Sequence, residues 1–201
     1  MPLMKDREYR NLQILQPQTQ QKRIDSDYYV EGYATTFNQP YLLYEIDGIK
    51  YFEVIDRHAL DGADTSDIIF QFDHEGKVYA RKSNNTLIVE PDNHGLFICA
   101  DLSKSEASKQ MYEEISNELV TRMSWAFTVA EEDYNRETRT RTIKKVKKVY
   151  DVSAVSIPAN DDTEISARSY AKGVFDIEKQ ELLERRKKQL KLKLKLELED
   201  F

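Results

Sequence analysis

From Tyr28 to Pro158 the chain is cut by turn residues into short runs rich in aromatic and β-branched side chains. That punctuation constrains the fold more than any other feature. Such side chains pack well on a pleated surface and lose rotamer freedom in a helix, so they favour extended backbone. YYVEGYATTF (28–37) reads as one strand. In EIDGIKYFEVI (45–55), Asp47-Gly48 separates two apolar flanks, the signature of a tight hairpin. DIIFQFDH (67–74) is a short apolar run, Ile68 to Phe72, ending in charge. In NTLIVEPDNHGLFICADL (85–102), Pro91, Asp92, Asn93 and Gly95 make a turn between two strands.

One segment breaks this texture. In residues 103–120, Ala107, Met111, Ile115 and Leu119 fall four apart, which predicts a helix with one apolar stripe. Ser105 is the expected N-cap, with Ser108 where a capping box prefers Glu or Gln. After it, TRMSWAFTV (121–129) predicts a buried strand with a hydroxyl at its centre, Ser124. Trp125 and Phe127 alternate with Ser124 and Ala126, so the aromatics should anchor in the core while the serine faces a cleft. Residues 131–159 read as strand, polar turn and strand, closed by Pro158. There Thr138, Thr140 and Thr142 alternate with Arg139 and Arg141 as on an exposed strand.

The ends differ from the middle. Residues 1–24 are a polar, glutamine-rich arm with room for one strand; Leu12, Ile14 and Leu15 are its apolar candidates. Residues 171–201 form a charged tail. Within it KLKLKLEL alternates with a strand period, but the Glu, Lys, Leu and Arg composition favours a helix or a disordered appendage. Between them, residues 25–170 suit a single domain of about 150 residues. Strands, one central helix and more strands imply a mainly β, α+β domain: a small barrel or sandwich with helices outside.

Composition narrows the function classes. The net charge of -6 gives no global basic field for nucleic acid. The run KKVKK (144–148) fits a solvated strand face, although with Tyr134 and Tyr150 it leaves a nucleic-acid-binding β-barrel as a third class. No apolar run approaches the roughly 20 residues that span a bilayer, and MPLMKDREYRNLQILQ lacks a signal-peptide core. The expected setting is the cytoplasm, or something assembled there. The single cysteine, Cys99, fits a core position in a reducing compartment. The histidines, His58, His74 and His94, are far apart, and no HExxH, CxxC, GxGxxG or P-loop pattern occurs, so no metal or cofactor is expected.

Nucleophilic catalysis remains. A serine hydroxyl is nearly inert at neutral pH and needs a base to take its proton, while a third group fixes the imidazole tautomer. Spacing cannot choose the members, because geometry and not chain order defines such a triad. Taken singly, His74 fits a strand-end histidine, Ser124 a strand serine facing water, and Asp151 a salt-bridge partner of Lys147 or Lys148.

The ordered set GYATTFN (32–38), FQFDHE (70–75), NTLIVEPDNHGLFICADL (85–102), RMSWAF (122–127) and YDVSAVSIPAND (150–161) resembles the prohead maturation proteases of tailed bacteriophages. That family is similar in fold and role to the herpesvirus capsid-assembly proteases. The resemblance covers about residues 25 to 165. It implies a closed or partly open antiparallel β-barrel surrounded by helices. Carried over by position, it implies Ser124 as nucleophile, His74 as base and Asp151 as third member. Backbone amides near 157–160 are its oxyanion candidates. The implied substrates are the scaffolding region of the major capsid protein and the protease itself, cleaved inside the procapsid in the host cytoplasm, with a homodimer expected. The sequence departs from the family pattern at GKVYARKSN after His74, at DRHAL (56–60), and just ahead of Met123-Ser124, where the usual glycine is missing. The rival on the same fold is a catalytically inactive capsid-assembly or scaffolding protein.

Overall fold

A computed structural model gives the fold and describes residues 8–13, 22–46, 48–155 and 184–191. Its strands are β1 (Glu8–Gln13), β2 (Tyr29–Thr36), β3 (Tyr41–Ile46), β4 (Ile49–Ile55), β5 (Ile69–Phe72), β6 (Glu75–Arg81), β7 (Leu87–Pro91), β8 (Gly95–Asp101), β9 (Arg122–Asn135) and β10 (Thr140–Val155). Helix α1 (Glu106–Ser116) joins β8 to β9. A second helix, α2, covers residues 184–191. The chain divides into two compact units, Met1–Ser166 with both sheets and α1, and Ala167–Phe201 with α2. Among the described residues no helix is long and apolar enough to cross a membrane.

The long hairpin β9–β10 organises the larger sheet, whose order is β1-β9-β10-β4-β3. β10 spans 16 residues and offers two edges. One edge pairs antiparallel with β9. The other is shared: Thr140–Ile143 pair in parallel with Phe52–Ile55 of β4, and Asp151–Ala154 in parallel with Ile69–Phe72 of β5. Between these stretches the β4–β5 connection runs along β10 and satisfies its backbone, through Val146 N–H to Ala59 O at 2.7 Å, Asp64 N–H to Lys147 O at 2.9 Å and Val149 N–H to Asp64 O at 3.0 Å. The hairpin β5–β6 is thereby fixed at the C-terminal half of β10. A second sheet of three strands, β2-β8-β7, supplies the facing layer.

Period-two alternation builds the core between the layers. Met123, Trp125, Phe127 and Val129 of β9, with Val152 and Ala154 of β10, join Val30 and Ala34 of β2, Leu87 and Val89 of β7, and Leu96, Ile98 and Ala100 of β8. Trp125 and Phe127 stack with ring centroids 4.0 Å apart. Every residue of β8 is buried. Its outward-pointing Phe97 and Cys99 form a small cluster with Tyr29, against which Ile24, Tyr33 and Ile88 pack. The Arg23 guanidinium lies 4.4 Å from the Phe97 centroid, and Ser26 Oγ donates to Asp101 Oδ1 at 2.6 Å.

The fold corrects several expectations. The two sheets do not close into a barrel, and the larger one is mixed, since β10 takes two parallel partners. Among the described residues the α-helices are α1 and α2, which make no ring around the sheets. The predicted helix begins where expected, with the Ser105 hydroxyl accepting from Ser108 N–H at 3.1 Å. It ends a turn early, because Glu118 takes φ 59° and Leu119 emerges into solvent. Arg141 is buried, not exposed. β4 and β9 flank it, and Glu53 and Glu132 neutralise it, with Nη1 donating to Glu53 Oε2 and Nε to Glu132 Oε2, each at 2.9 Å.

Candidate active site

Three elements meet at the C-terminal half of β10. β9 carries Ser124 on the face opposite Trp125 and Phe127. On β10 the register sets Ser153 opposite Ser124 and Asp151 opposite Ala126, so Ser124, Asp151 and Ser153 share one face. The third element is the β5–β6 turn, Phe72-Asp73-His74-Glu75, in which Phe72 and Glu75 are ladder partners. Its central residues have φ 47° at Asp73 and 60° at His74. Positive φ at both central residues is the geometry of a type I′ hairpin, which usually prefers Asn-Gly or Asp-Gly. A histidine in the left-handed region costs free energy, and packing has to hold it there. The holding contact is Asp73 N–H to Ala154 O at 2.9 Å, which ties the turn to β10.

That turn delivers the imidazole between the other two side chains. His74 Nδ1 lies 2.5 Å from Asp151 Oδ1, and His74 Nε2 lies 2.7 Å from Ser124 Oγ. A carboxylate only accepts, so a neutral imidazole bonded to one through Nδ1 donates there and accepts the Ser124 hydroxyl at Nε2. Ser153 Oγ donates to the same Asp151 Oδ1 at 2.9 Å. Ser124 and Ser153 are fully buried and Asp151 nearly so, while the His74 side chain keeps 14% of its surface exposed. Ser124 therefore has no surface open to solvent. β1 pairs along the outer edge of β9, with Asn11 beside Ser124, and the His74 ring lies against the hydroxyl.

The remaining candidates lie elsewhere. His58 sits in a turn with Nδ1 2.9 Å from Asp61 Oδ2, and His94 lies in the β7–β8 turn against Tyr33. Lys148 pairs with Asp64 at 2.9 Å, not with Asp151. Cys99 is buried in the second sheet, and that burial pushes its thiol up, away from a reactive thiolate. The oxyanion candidates at 157–160 lie outside the described residues. Among the described residues no group of His, Cys, Asp or Glu is gathered to hold a metal ion. The sequence reading missed Ser153. Its signal was present in DVS, because two residues apart on a strand means one face.

The family model for the caudovirus prohead serine protease matches residues 16–176. The chain belongs to that family. No curated protein and no solved structure matches it. As a caudovirus prohead serine protease it is a hydrolase of capsid maturation, acting within the procapsid in the host cell. The matched stretch includes β2 through β10, and with them His74, Ser124, Asp151 and Ser153.

Proposed function

We propose that the chain is an endopeptidase working through Ser124, His74 and Asp151. The observation that carries this is one imidazole within hydrogen-bond distance of both a serine hydroxyl and a buried carboxylate. Ser124 Oγ bonds to the scissile carbonyl carbon as His74 Nε2 takes its proton. The same nitrogen then gives the proton to the leaving amine as the C–N bond breaks, and water reverses the sequence to free the acyl group. Asp151 holds the proton-bearing Nδ1 and stabilises the imidazolium that forms. Strand backbone on both sides keeps the attack geometry rigid. Because Ser124 is buried, the chain around it must shift before a substrate carbonyl enters.

The substrates in this reading are the scaffolding region of the major capsid protein and the protease itself. A homodimer in the host cytoplasm, packaged as the procapsid assembles, is part of the same reading. The charged tail, residues 171–201, serves as a removable or scaffold-docking segment; equal procapsid incorporation of full-length and tail-deleted chains would refute that role. The test of the main reading is co-expression with the cognate major capsid protein. The wild-type chain shortens the capsid protein on a gel and Ser124→Ala leaves it intact, since loss of a nucleophile costs on the order of a millionfold in comparable enzymes. Processing that survives Ser124→Ala would favour a catalytically inactive assembly protein.

A further inference from the structure

Asp151 is almost wholly enclosed, and a buried carboxylate keeps its charge only where donors replace the lost water. Two donors converge on one oxygen: His74 Nδ1 at 2.5 Å and Ser153 Oγ at 2.9 Å, both on Oδ1. They approach from different elements. His74 comes from the strained β5–β6 turn, and Ser153 from β10 itself, two residues after Asp151 on the same face. Rotation of an aspartate carboxylate about its last torsion is broad and two-fold, so a single bond to a ring on a turn fixes it poorly. A second bond from the same strand removes that freedom. Ser153 has no exposed surface, so water does not take its place on Oδ1 without repacking. It also stands opposite Ser124 in the ladder, yet its hydroxyl is directed at Oδ1.

Building on the Ser124–His74–Asp151 reading, we propose that Ser153 is a positioning residue whose hydroxyl locks the Asp151 carboxylate in the orientation that aims His74 at Ser124. Ser153 touches no reacting atom and acts through Asp151.

The test uses the full-length chain and two readouts. The first is the low-field proton resonance of His74 Nδ1–H, identified among the three histidines by its loss in His74→Gln. The second is the rate at which the co-expressed cognate capsid protein is shortened. Ser153→Ala shifts the resonance or loses it to solvent exchange, and slows cleavage by on the order of tenfold to a hundredfold, the scale of a small misplacement at a reacting centre. Ser153→Thr, which restores the hydroxyl, returns both readouts toward wild type. If a thermal melt finds Ser153→Ala unfolded, Ser153→Cys replaces it, matching the volume with a weaker donor and giving the same changes in smaller degree. A wild-type resonance and rate in the hydroxyl-free variant overturns the proposal, as does failure of Ser153→Thr to restore them. Ser124→Ala, measured beside these, separates the two levels. Cleavage that survives Ser124→Ala removes the triad itself, whereas cleavage lost there and intact in Ser153→Ala removes the positioning role alone.

Discussion

Ser124 and Ser153 face each other across the β9–β10 ladder, and their hydroxyls serve different partners: Ser124 Oγ lies 2.7 Å from His74 Nε2, and Ser153 Oγ lies 2.9 Å from Asp151 Oδ1. Two like residues at one register position are thus divided between a histidine and a carboxylate, which under the proposed mechanism makes one the nucleophile and the other its support. What divides them is the strand each sits on. β9 brings its serine under the tip of the imidazole, while β10 brings its serine beside the carboxylate.

The role given to Asp151 makes a sharp prediction. Asp151→Asn keeps the shape but offers Nδ1 a group that can donate as well as accept, so the wrong imidazole tautomer becomes favourable. Cleavage of the capsid protein should fall about ten-thousandfold, as in other enzymes with this arrangement, with the thermal melt little changed. Near-normal cleavage in Asp151→Asn counts against the assignment.

The buried cluster on β4, β9 and β10 predicts stability, not catalysis. Arg141 binds Glu53 and Glu132, and all three are nearly inaccessible. Arg141→Ala strands two carboxylates in the interior and should cost about 3–5 kcal/mol in a urea unfolding curve. A loss near zero would mean that water or protonation compensates at little cost.

Gly95 opens β8 opposite Thr36 of β2. A Cβ built there would lie 2.0 Å from the Thr35 carbonyl oxygen, a backbone atom that cannot swing aside. Gly95→Ala therefore forces the β2–β8 bulge apart and should destabilise by about 1–3 kcal/mol, read as a lower denaturation midpoint. An unchanged midpoint would show that the bulge gives way easily.

Asp101 links pH to stability. Burial alone raises its carboxyl, but bonds from Ser26, Ser103 and Lys104 overcome that and hold it below the usual carboxylate range. The folded form therefore binds its proton more weakly than the unfolded chain does. The stabilisation is complete above the unfolded value of about 3.9 and is lost as pH falls through the folded one. Asp101→Asn should cost about 1–3 kcal/mol at neutral pH and flatten the acid limb of the stability curve. An equally steep acid limb in Asp101→Asn would assign that limb to other carboxylates.

Much of this architecture was legible in local pattern. Alternation marked β9 around Trp125 and Phe127, Asp47-Gly48 marked the β3–β4 hairpin, and Ser105 marked the start of α1. What local pattern does not carry is partnership between distant strands. The parallel pairing of β10 with β4 and β5 decides both that Arg141 is buried and that His74 arrives beside Asp151. Alternating Thr and Arg look solvent-facing until two glutamates from other strands are placed next to them. The His74 turn was hidden for another reason: FDHE lacks the glycine that usually announces a type I′ hairpin. His74, Ser124 and Asp151 were singled out by family resemblance, since composition and spacing alone left each with an ordinary structural explanation.

The most direct measurement is covalent labelling of the intact protein with an alkyl fluorophosphonate, followed by peptide mapping. A serine whose proton is taken by a neighbouring imidazole displaces fluoride from phosphorus, while ordinary serines do not. The account predicts one label, on Ser124, absent from both Ser124→Ala and His74→Ala. A label on another residue, or one on Ser124 that persists at the same rate in His74→Ala, would contradict it.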